Sequence, residues 1–386
     1  MYSNYNKTMN SILEKIEESV ISKVIKAADS KDVINFAENP NELFTPKSII
    51  ENAKEAIEGG FNGSLPAEGR LTLRKLVSEM IARESEVVFD PEEEITITSG
   101  ASEAFVSSML SLVEGENGVV IPEPFYENYL PVTELSRGKP IFLSLAEPDY
   151  SFHFTDFKKL PTFKVFILNN PHNPTGKVFN SEEIKAIGDT VLEREGYLIL
   201  DETYKHLLYD SEYFSPLKID ELVDNTIVVG SLSTILSVRG WRLGYIAAKA
   251  PIMKEIRKVH YYNSVSAPVP FQWACEDFDL TANFIGNLRE KYADKRDFLC
   301  RALEKSGFTF YTPDGGYYIF VNFEGVWDGN DWGFYKYLLK NKNVAIVPGS
   351  AFYSSKNKGK KNVRITFSQS DYNLKELSSI LSAGIT

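Results

Sequence analysis

Short apolar runs alternate with amphipathic, helix-like stretches along most of this 386-residue chain. The runs are continuous in hydrophobicity, which is typical of strands buried on both faces of a sheet. Strands that alternate with helices indicate an α/β fold with a mainly parallel sheet. The predicted strands of this region are Ile95–Thr98, Gly118–Ile121, Pro140–Leu143, Val165–Leu168, Tyr197–Leu200, Thr226–Val229 and Leu243–Ala247.

Helical spacing of apolar residues is clearest outside these runs. Residues 1–30 carry apolar side chains every four positions, at Ile12, Ile16, Val20 and Val24, which predicts one helix there. Further helices are predicted over residues 47–60, from Leu71 to Arg83, and over residues 279–306.

The pattern changes near residue 280, and the following strands are more widely spaced. They are predicted at Tyr317–Asn322, Ala345–Pro348 and Val363–Ser368. A chain of this length is expected to form two domains. We therefore expect residues 46–280 to form a large domain and residues 281–386 a small α+β domain. Residues 1–45 would form an N-terminal arm and part of the small domain.

Composition and charge exclude several classes of function. The net charge of -11 argues against binding to a nucleic-acid backbone or an anionic membrane. No apolar run is long enough to span a bilayer, and Met1–Asn10 lacks the apolar core of a signal peptide. The two cysteines, Cys275 and Cys300, have no metal-ligand spacing, and the four histidines form no metal-binding pattern. We expect no metal site, no disulfide framework and a cytoplasmic protein.

Two segments carry the chemistry of a phosphate site. Ser231, Ser233 and Arg242 offer hydroxyl donors and a planar charged fork within one short stretch. The turn Ser99-Gly100-Ala101-Ser102 follows a predicted strand and begins a helix, where backbone N–H groups can bind an anion. The alternatives are a surface ion pair for Arg242 and a turn that binds nothing.

Two further segments follow predicted strands. Asp201 comes at the carboxyl end of a strand, where ligands bind in open α/β sheets, although it could also cap the next helix. The string Asn170-Pro171-His172-Asn173-Pro174-Thr175-Gly176 contains two Asn-Pro steps and predicts a rigid loop.

These strings together resemble the signatures of class I/II aminotransferases, which use pyridoxal phosphate (PLP). Residues 231–245 resemble the family pattern S-x-S-K-x-x-x-x-x-G-x-R-x-G-Y, and residues 170–176 resemble its N-P-x-N-P-T-G loop. Residues 122–126, 347–352 and 363–367 resemble its P-x-P-x-Y, V-P-G-S-x-F and V-R-I-x-F strings. The resemblance runs from about residue 32 to the end. It implies a fold-type I PLP-dependent transferase, a homodimer with sites at the interface, and transamination between an amino acid and a 2-oxo acid.

The resemblance also implies roles for individual residues. Asp201 would pair with the pyridine nitrogen, Tyr126 would stack on the ring, and Arg364 would bind the substrate α-carboxylate. Asn173 and Tyr204 would contact the phenolic oxygen of the cofactor, and Asn173 would also border the substrate. Ala37, Glu38 and Tyr129 are further candidates for lining the substrate site. The phosphate would be held by Gly100, Ala101, Ser102, Ser231, Ser233 and Arg242.

The chain departs from the family pattern at three places. Thr234 stands where the family has the lysine that carries PLP, so the cofactor would bind noncovalently, as an external aldimine, or in its amine form. Ser64 stands where the family usually has a tyrosine that reaches the neighbouring subunit's phosphate. The segment Phe36–Pro40 replaces a glycine-containing loop, and its Glu38 would either be solvated or face a cationic substrate side chain.

Three interpretations of Thr234 stay open at this stage. The first is an engineered replacement of the lysine in an amino-acid aminotransferase. The second is a natural lysine-less enzyme that binds PLP or its amine form and uses another base, for which Tyr204 and Tyr126 are the nearest candidates. The third is a catalytically dead paralogue that acts as a binding or regulatory subunit.

Overall fold

The computed structural model describes residues 10–29, 32–38, 44–278, 280 and 282–385. In the described residues the helices are α1 Val20–Ala27, α2 Lys47–Glu58, α3 Leu71–Ser85, α4 Gly100–Leu112, α5 Tyr129–Leu135, α6 Phe154–Phe157, α7 Ser181–Glu193, α8 Asp220–Val223, α9 Leu232–Ile235, α10 Ala250–Ser264, α11 Val269–Glu276, α12 Ala282–Lys305, α13 Asp331–Lys342 and α14 Asp371–Ser382. Short 3-10 helices cover Ser11–Lys15, Pro216–Lys218, Arg239–Trp241 and Gly349–Phe352.

The strands of the described residues form three sheets. They are β1 Ile34–Asn35, β2 Ile95–Thr98, β3 Gly118–Glu123, β4 Lys139–Ser144, β5 Val165–Asn169, β6 Tyr197–Asp201, β7 Thr226–Ser231, β8 Gly244–Ala247, β9 Thr309–Phe310, β10 Tyr318–Asn322, β11 Val344–Ala345, β12 Val347–Pro348 and β13 Asn362–Thr366. The large sheet has the order β2-β8-β7-β6-β5-β3-β4. Only β8 runs antiparallel to its neighbours, β2 and β7, within this sheet. The predicted mainly parallel α/β sheet is therefore confirmed.

The central strands are apolar throughout because helices cover both faces of the sheet. In β5, Phe166 and Leu168 pack into one apolar cluster, while Val165 and Ile167 pack into the cluster on the other face. Alternate side chains of a strand point to opposite faces, so both sets must be apolar. This burial explains why the seven strands of the large sheet could be predicted with only small differences at their ends.

The N-terminal prediction of a single helix is wrong for the residues that the structure describes. The 3-10 helix ends at Lys15, the next residue Ile16 has an extended backbone, and α1 begins only after Ser19. The Ser19 hydroxyl accepts from the Ser22 N–H at 2.9 Å, which starts a new helix. Glu127 accepts from the first N–H groups of α1, at 3.1 Å from Val20. Residues 1–9 and 30 lie outside the described residues.

The second sheet is antiparallel, with the order β12-β13-β10-β9. The strand predicted at Ala345–Pro348 is instead two strands, since β11 pairs with β1 and β12 pairs with β13. The pairing of β1 with β11 brings the N-terminal segment onto the C-terminal region, as expected for an arm that contributes to a small domain. The domain limits themselves stay a prediction. None of the helices in the described ranges is long and apolar enough to cross a membrane.

Candidate active site

The candidate site lies at the carboxyl edge of the large sheet. Strands β5, β6 and β7 end at Asn169, Asp201 and Ser231, and Asn169 stands directly beside Asp201 in the register. Parallel strands deliver the side chains at their carboxyl ends to one crevice. The sequence motifs that are far apart along the chain therefore meet here.

The turn before α4 is shaped for close approach by an arginine. Gly100 has a φ of +82°, and a Cβ at this position would lie 2.4 Å from Nη2 of Arg242. A side chain here would therefore push the guanidinium away. No side chain caps the N-terminus of α4 at Ser99, so N–H groups of its first turn have no capping acceptor there. These donors and Arg242 together suit an anion.

The segment after β7 places three predicted residues side by side. The Ser231 hydroxyl oxygen accepts from the Thr234 N–H at 3.1 Å and from the Thr234 hydroxyl at 3.0 Å. The Ser233 hydroxyl oxygen accepts from the Leu243 N–H at 2.7 Å, and its own hydrogen is available to a ligand. Arg242 is exposed, and one of its Nη atoms donates to the Arg239 carbonyl at 3.3 Å.

Asp201 is a buried carboxylate held by two donors. Tyr129 donates its hydroxyl to Oδ2 at 2.7 Å, and the Thr203 N–H donates to Oδ1 at 3.0 Å. Burial raises the pKa of Asp201, although both donors act in the opposite direction. Within the described residues no cation is paired with it. A cationic ring nitrogen would provide that missing charge.

The Asn-Pro loop connects the sheet edge to the C-terminal region. The Asn169 side chain accepts from the Asn173 N–H at 2.7 Å and donates to the Asp201 carbonyl at 3.1 Å. The Oδ1 atom of Asn173 accepts from Nη1 of Arg364 at 3.0 Å. The Asn173 amide nitrogen donates to no described residue, so it is available to a ligand on the other side.

These side chains surround two adjoining cavities. We call the first the inner cavity; its lining residues are Ala101, Ser102, Phe105, Tyr126, Asn128, Tyr129, Asn169, Asn173, Asp201, Thr203, Tyr204, Ser231, Ser233, Thr234, Arg239, Arg242 and Tyr317. We call the second the outer cavity; its lining residues are Ser19, Ile21, Ser22, Ile25, Glu38, Tyr126, Glu127, Tyr204, Arg239, Tyr318 and Arg364. The two share Tyr126, Tyr204 and Arg239, so a ligand could extend from one into the other.

The inner cavity has phenols but no amine. Among the described residues that line it, none is lysine or histidine. Burial raises the pKa of Tyr126 to about 12 and raises the pKa of Tyr204 well above its ordinary value. Both phenols are therefore neutral at physiological pH, and neither is a ready base.

The outer cavity contains Arg364 and an ion pair. Arg364 is 1% exposed, and its Nη2 donates to the Ala37 carbonyl at 2.8 Å. Its Nε is buried with no hydrogen-bond partner in the described part of the chain. Glu38 lines the same cavity with its side chain 30% exposed, and it forms an ion pair with Arg239. Its role toward a substrate stays a prediction.

Almost all of the residues predicted from sequence border one of these cavities. Gly100 and Ala37 act through their backbones, beside Arg242 and Arg364. Ser64 is exposed and lines neither cavity. Sequence reasoning missed Arg239 and Tyr317. Arg239 occupies an unspecified position of the segment 231–245, and Tyr317 is one of many aromatic residues, so only the folded chain reveals them.

Comparison with known proteins identifies the class that this geometry defines. The family model described as "Aminotransferase class I and II" matches residues 31–381. The chain therefore belongs to this family.

Individual relatives agree with this assignment over almost the whole chain. An aspartate aminotransferase of Pyrococcus abyssi is 30% identical and aligns with 95% of this chain and 96% of its own length. A probable N-acetyl-LL-diaminopimelate aminotransferase of Bacillus subtilis is 31% identical, with 95% of this chain and 93% of its own length aligned. The solved structure of N-succinyldiaminopimelate aminotransferase from Mycobacterium tuberculosis superposes with a TM-score of 0.93 at 27% identity, over 98% of this chain and 100% of that chain.

Proposed function

We propose that this protein binds PLP noncovalently in the inner cavity and acts on an amino acid/2-oxo acid pair. We further propose that the lysine-dependent step of transamination is lost at Thr234. The observation that carries the proposal is the convergence of Asp201, Ser233 and Arg242 around Thr234 in a member of this family.

The residues present fit the phosphate of the cofactor. Arg242 is exposed at the cavity and is not engaged in an ion pair with any described residue. Gly100 leaves room for its guanidinium beside the first turn of α4. Ser231 and Ser233 supply hydroxyl donors from the neighbouring strand end. Charged and neutral donors of this kind are what a phosphate dianion requires.

Asp201 fits the ring nitrogen. When bound, PLP supplies an electron-withdrawing ring that stabilises negative charge on a linked amino acid. The buried Asp201 carboxylate would hold a proton on the ring nitrogen, and Tyr129 would fix the orientation of that carboxylate. The pKa of Asp201 is raised because its buried carboxylate has no cationic partner among the described residues. A cationic ring nitrogen would be such a partner.

Thr234 does not replace the family lysine in chemical terms. Its hydroxyl donates to Ser231, and a threonine hydroxyl neither forms an imine nor accepts a proton readily. Tyr204 is a poor substitute because burial raises its pKa well above the usual value for tyrosine. The cavity would therefore hold the cofactor and position a substrate, but it would move the substrate's proton slowly.

The outer cavity would receive the amino acid. Arg364 is buried and fixed by Asn173 and the Ala37 carbonyl, yet its Nε has no partner among the described residues. A substrate α-carboxylate bound there would be oriented toward the inner cavity, since Asn173 borders both Arg364 and that cavity.

Two features of the predicted setting remain proposals. We propose a homodimer because Tyr262 and Val265 near the end of α10 are 88% and 53% exposed, which suits an apolar contact with a second subunit. We propose a cytoplasmic location because Cys275 and Cys300 are both free and buried.

Equilibrium dialysis and absorbance titration with PLP would test the proposed function. We expect saturable binding of one PLP per chain that dialysis reverses. We also expect bound PLP to respond to amino acids with a spectral change that is slower than in a lysine-containing relative. Absence of binding at millimolar PLP would contradict the proposal. Binding without any response to amino acids would favour a regulatory paralogue.

A further inference from the structure

We infer that Arg239 is a second carboxylate-binding residue. In the absence of a ligand, the Glu38 carboxylate pairs with Arg239 in place of the ligand carboxylate. The substrate would then be an amino acid with an acidic side chain. This inference rests on the proposed function, because it takes the amino acid to bind between Arg364 and the inner cavity.

Arg239 is placed where a substrate side chain would pass. It lines both the inner and the outer cavity, and its guanidinium carbon lies 5.9 Å from the centre of the Tyr317 ring. One of its nitrogens, Nη2, is paired with Glu38. The other, Nη1, is buried without a hydrogen-bond partner among the described residues. A buried guanidinium nitrogen without an acceptor is costly, and a ligand carboxylate would satisfy it.

The two arginines of the outer cavity contact two residues that are consecutive in the sequence. Arg364 donates to the Ala37 carbonyl at 2.8 Å, and Arg239 pairs with the side chain of the next residue, Glu38. The Glu38 backbone is itself fixed, since Gln369 donates to its carbonyl at 3.2 Å. Consecutive residues of one short segment therefore hold both guanidinium groups at the same cavity. This arrangement suits a ligand with two carboxylates separated by a short chain.

The remaining charge of the cavity supports an anionic ligand. Glu127 also lines the outer cavity, but its carboxylate accepts from the Ser19 hydroxyl at 2.5 Å and from two N–H groups at the start of α1. It is therefore already engaged. Glu38 is engaged by Arg239, so an incoming cationic side chain would meet no free carboxylate. A second ligand carboxylate would bind Nη1 of Arg239 or displace Glu38.

Calorimetric titration of the cofactor-free protein tests this inference without any enzymatic readout. Succinate and glutarate carry two carboxylates, and butyrate carries one. Inorganic phosphate at high concentration would keep these probes away from Arg242. We expect the better of the two dicarboxylates to bind at least about 10-fold more tightly than butyrate, because its second carboxylate would form a charge-assisted hydrogen bond with Arg239.

Two variants and one control decide the matter. R239Q should remove the preference for dicarboxylates while leaving butyrate affinity unchanged. E38Q should strengthen dicarboxylate binding severalfold, because the internal competitor loses its charge. R301Q removes an exposed arginine from α12 and should change nothing. Should R239Q fail to fold, the E38Q result decides by itself.

The inference is overturned if R239Q weakens both ligand types equally, or if E38Q leaves dicarboxylate affinity unchanged. PLP titration of the same variants separates this failure from failure of the proposed function. Normal PLP binding with no dicarboxylate preference would refute only the role of Arg239. Dicarboxylate preference without PLP binding would refute the proposed function and leave the second carboxylate site standing.

Discussion

The inner and outer cavities adjoin, but they differ in how their charged groups are satisfied. In the inner cavity, Asp201 and Arg242 have no ion-pair partners among the described residues. In the outer cavity, Arg239 is already paired with Glu38. In the inner cavity one carboxylate and one guanidinium group therefore lack a partner of opposite charge. PLP would supply a cationic group for the first and an anionic group for the second. If a ligand carboxylate displaces Glu38, as inferred above, the outer cavity would be the place where substrate choice is set.

Mutations in the two cavities should therefore have different effects on ligand binding. Changes to the inner cavity should alter cofactor binding and leave dicarboxylate preference intact. Changes at Glu38, which lines only the outer of the two cavities, should do the reverse. A variant that altered both properties would break the distinction between the two cavities.

Replacement of Arg242 should have the largest effect on cofactor binding. R242Q removes the charged donor to the phosphate, and we expect PLP affinity to fall about 10- to 100-fold. The fold should be unaffected because the Arg242 side chain is exposed and, among the described residues, bonds only to the Arg239 carbonyl. Equilibrium dialysis measures the affinity, and R301Q, which removes an exposed arginine from α12, is the matched control because it should leave PLP affinity unchanged. Equal losses in both variants would contradict the assignment of Arg242 to the phosphate.

Replacement of Asp201 should change stability and cofactor binding in opposite directions. Burial raises the pKa of Asp201, so the stability it contributes is present below its ordinary pKa and is lost as pH rises through the raised value. At pH 8 we therefore expect D201N to raise the Tm of the cofactor-free protein. The same variant should lower PLP affinity about 10-fold, because it loses the charge that pairs with the ring nitrogen.

Thermal unfolding with and without PLP measures both effects of D201N. D224N, at an exposed position after α8, serves as the control and should alter neither quantity. A destabilised D201N protein, or one with full PLP affinity, would show that Asp201 is a structural cap rather than a cofactor ligand.

Substitution of Gly100 tests how the backbone shapes the phosphate site. G100A places a Cβ at a position with φ +82° and 2.4 Å from the Arg242 guanidinium. We expect a loss of about 1–2 kcal/mol in the free energy of unfolding and a several-fold loss of PLP affinity. Urea unfolding and PLP titration measure the two. The control G63A has no described atom within 4 Å of its new Cβ, so an equal loss in G63A would remove the explanation.

The smallest effect concerns the Asn-Pro loop, whose Asn173 lines the inner cavity and accepts from Arg364 of the outer cavity. Burial, with added repulsion from Lys177, lowers the pKa of His172 from 6.5 to about 3. A lowered histidine pKa gives stability that is complete above the unfolded value of 6.5 and is lost as pH falls toward about 3. Between pH 7 and 5.5 this loss amounts to about 1 kcal/mol.

Urea unfolding at both pH values should show this loss in the wild type and a weaker pH dependence in H172Q. His153 is exposed and has the same residue type, so H153Q should retain the wild-type pH dependence. Identical behaviour of the wild type and H172Q would show that His172 does not couple this loop to pH.

The sequence predicted the inner cavity better than the outer one for a physical reason. The strands of the large sheet are buried on both faces, so their apolar runs are unambiguous, and the residues that follow them must meet at one edge. Asp201 and the loop that contains Asn173 follow strands in this way, whereas Arg242 was predicted from its spacing to Ser231 and Gly240. The pairing of Glu38 with Arg239 joins residues that are distant in sequence, and no local pattern predicts such a contact. The break between the first two helical segments depends on Glu127, which is equally distant.

The central claim is that Thr234 takes the place of the cofactor lysine in an otherwise complete PLP site. The most direct test is intact-mass measurement of the wild type and T234K after incubation with PLP and borohydride reduction, which fixes a lysine–cofactor linkage. Our account predicts one cofactor mass on T234K, mapped to residue 234, and none specific to this site on the wild type. A T234K protein that binds PLP reversibly but never retains it at residue 234 would contradict the account.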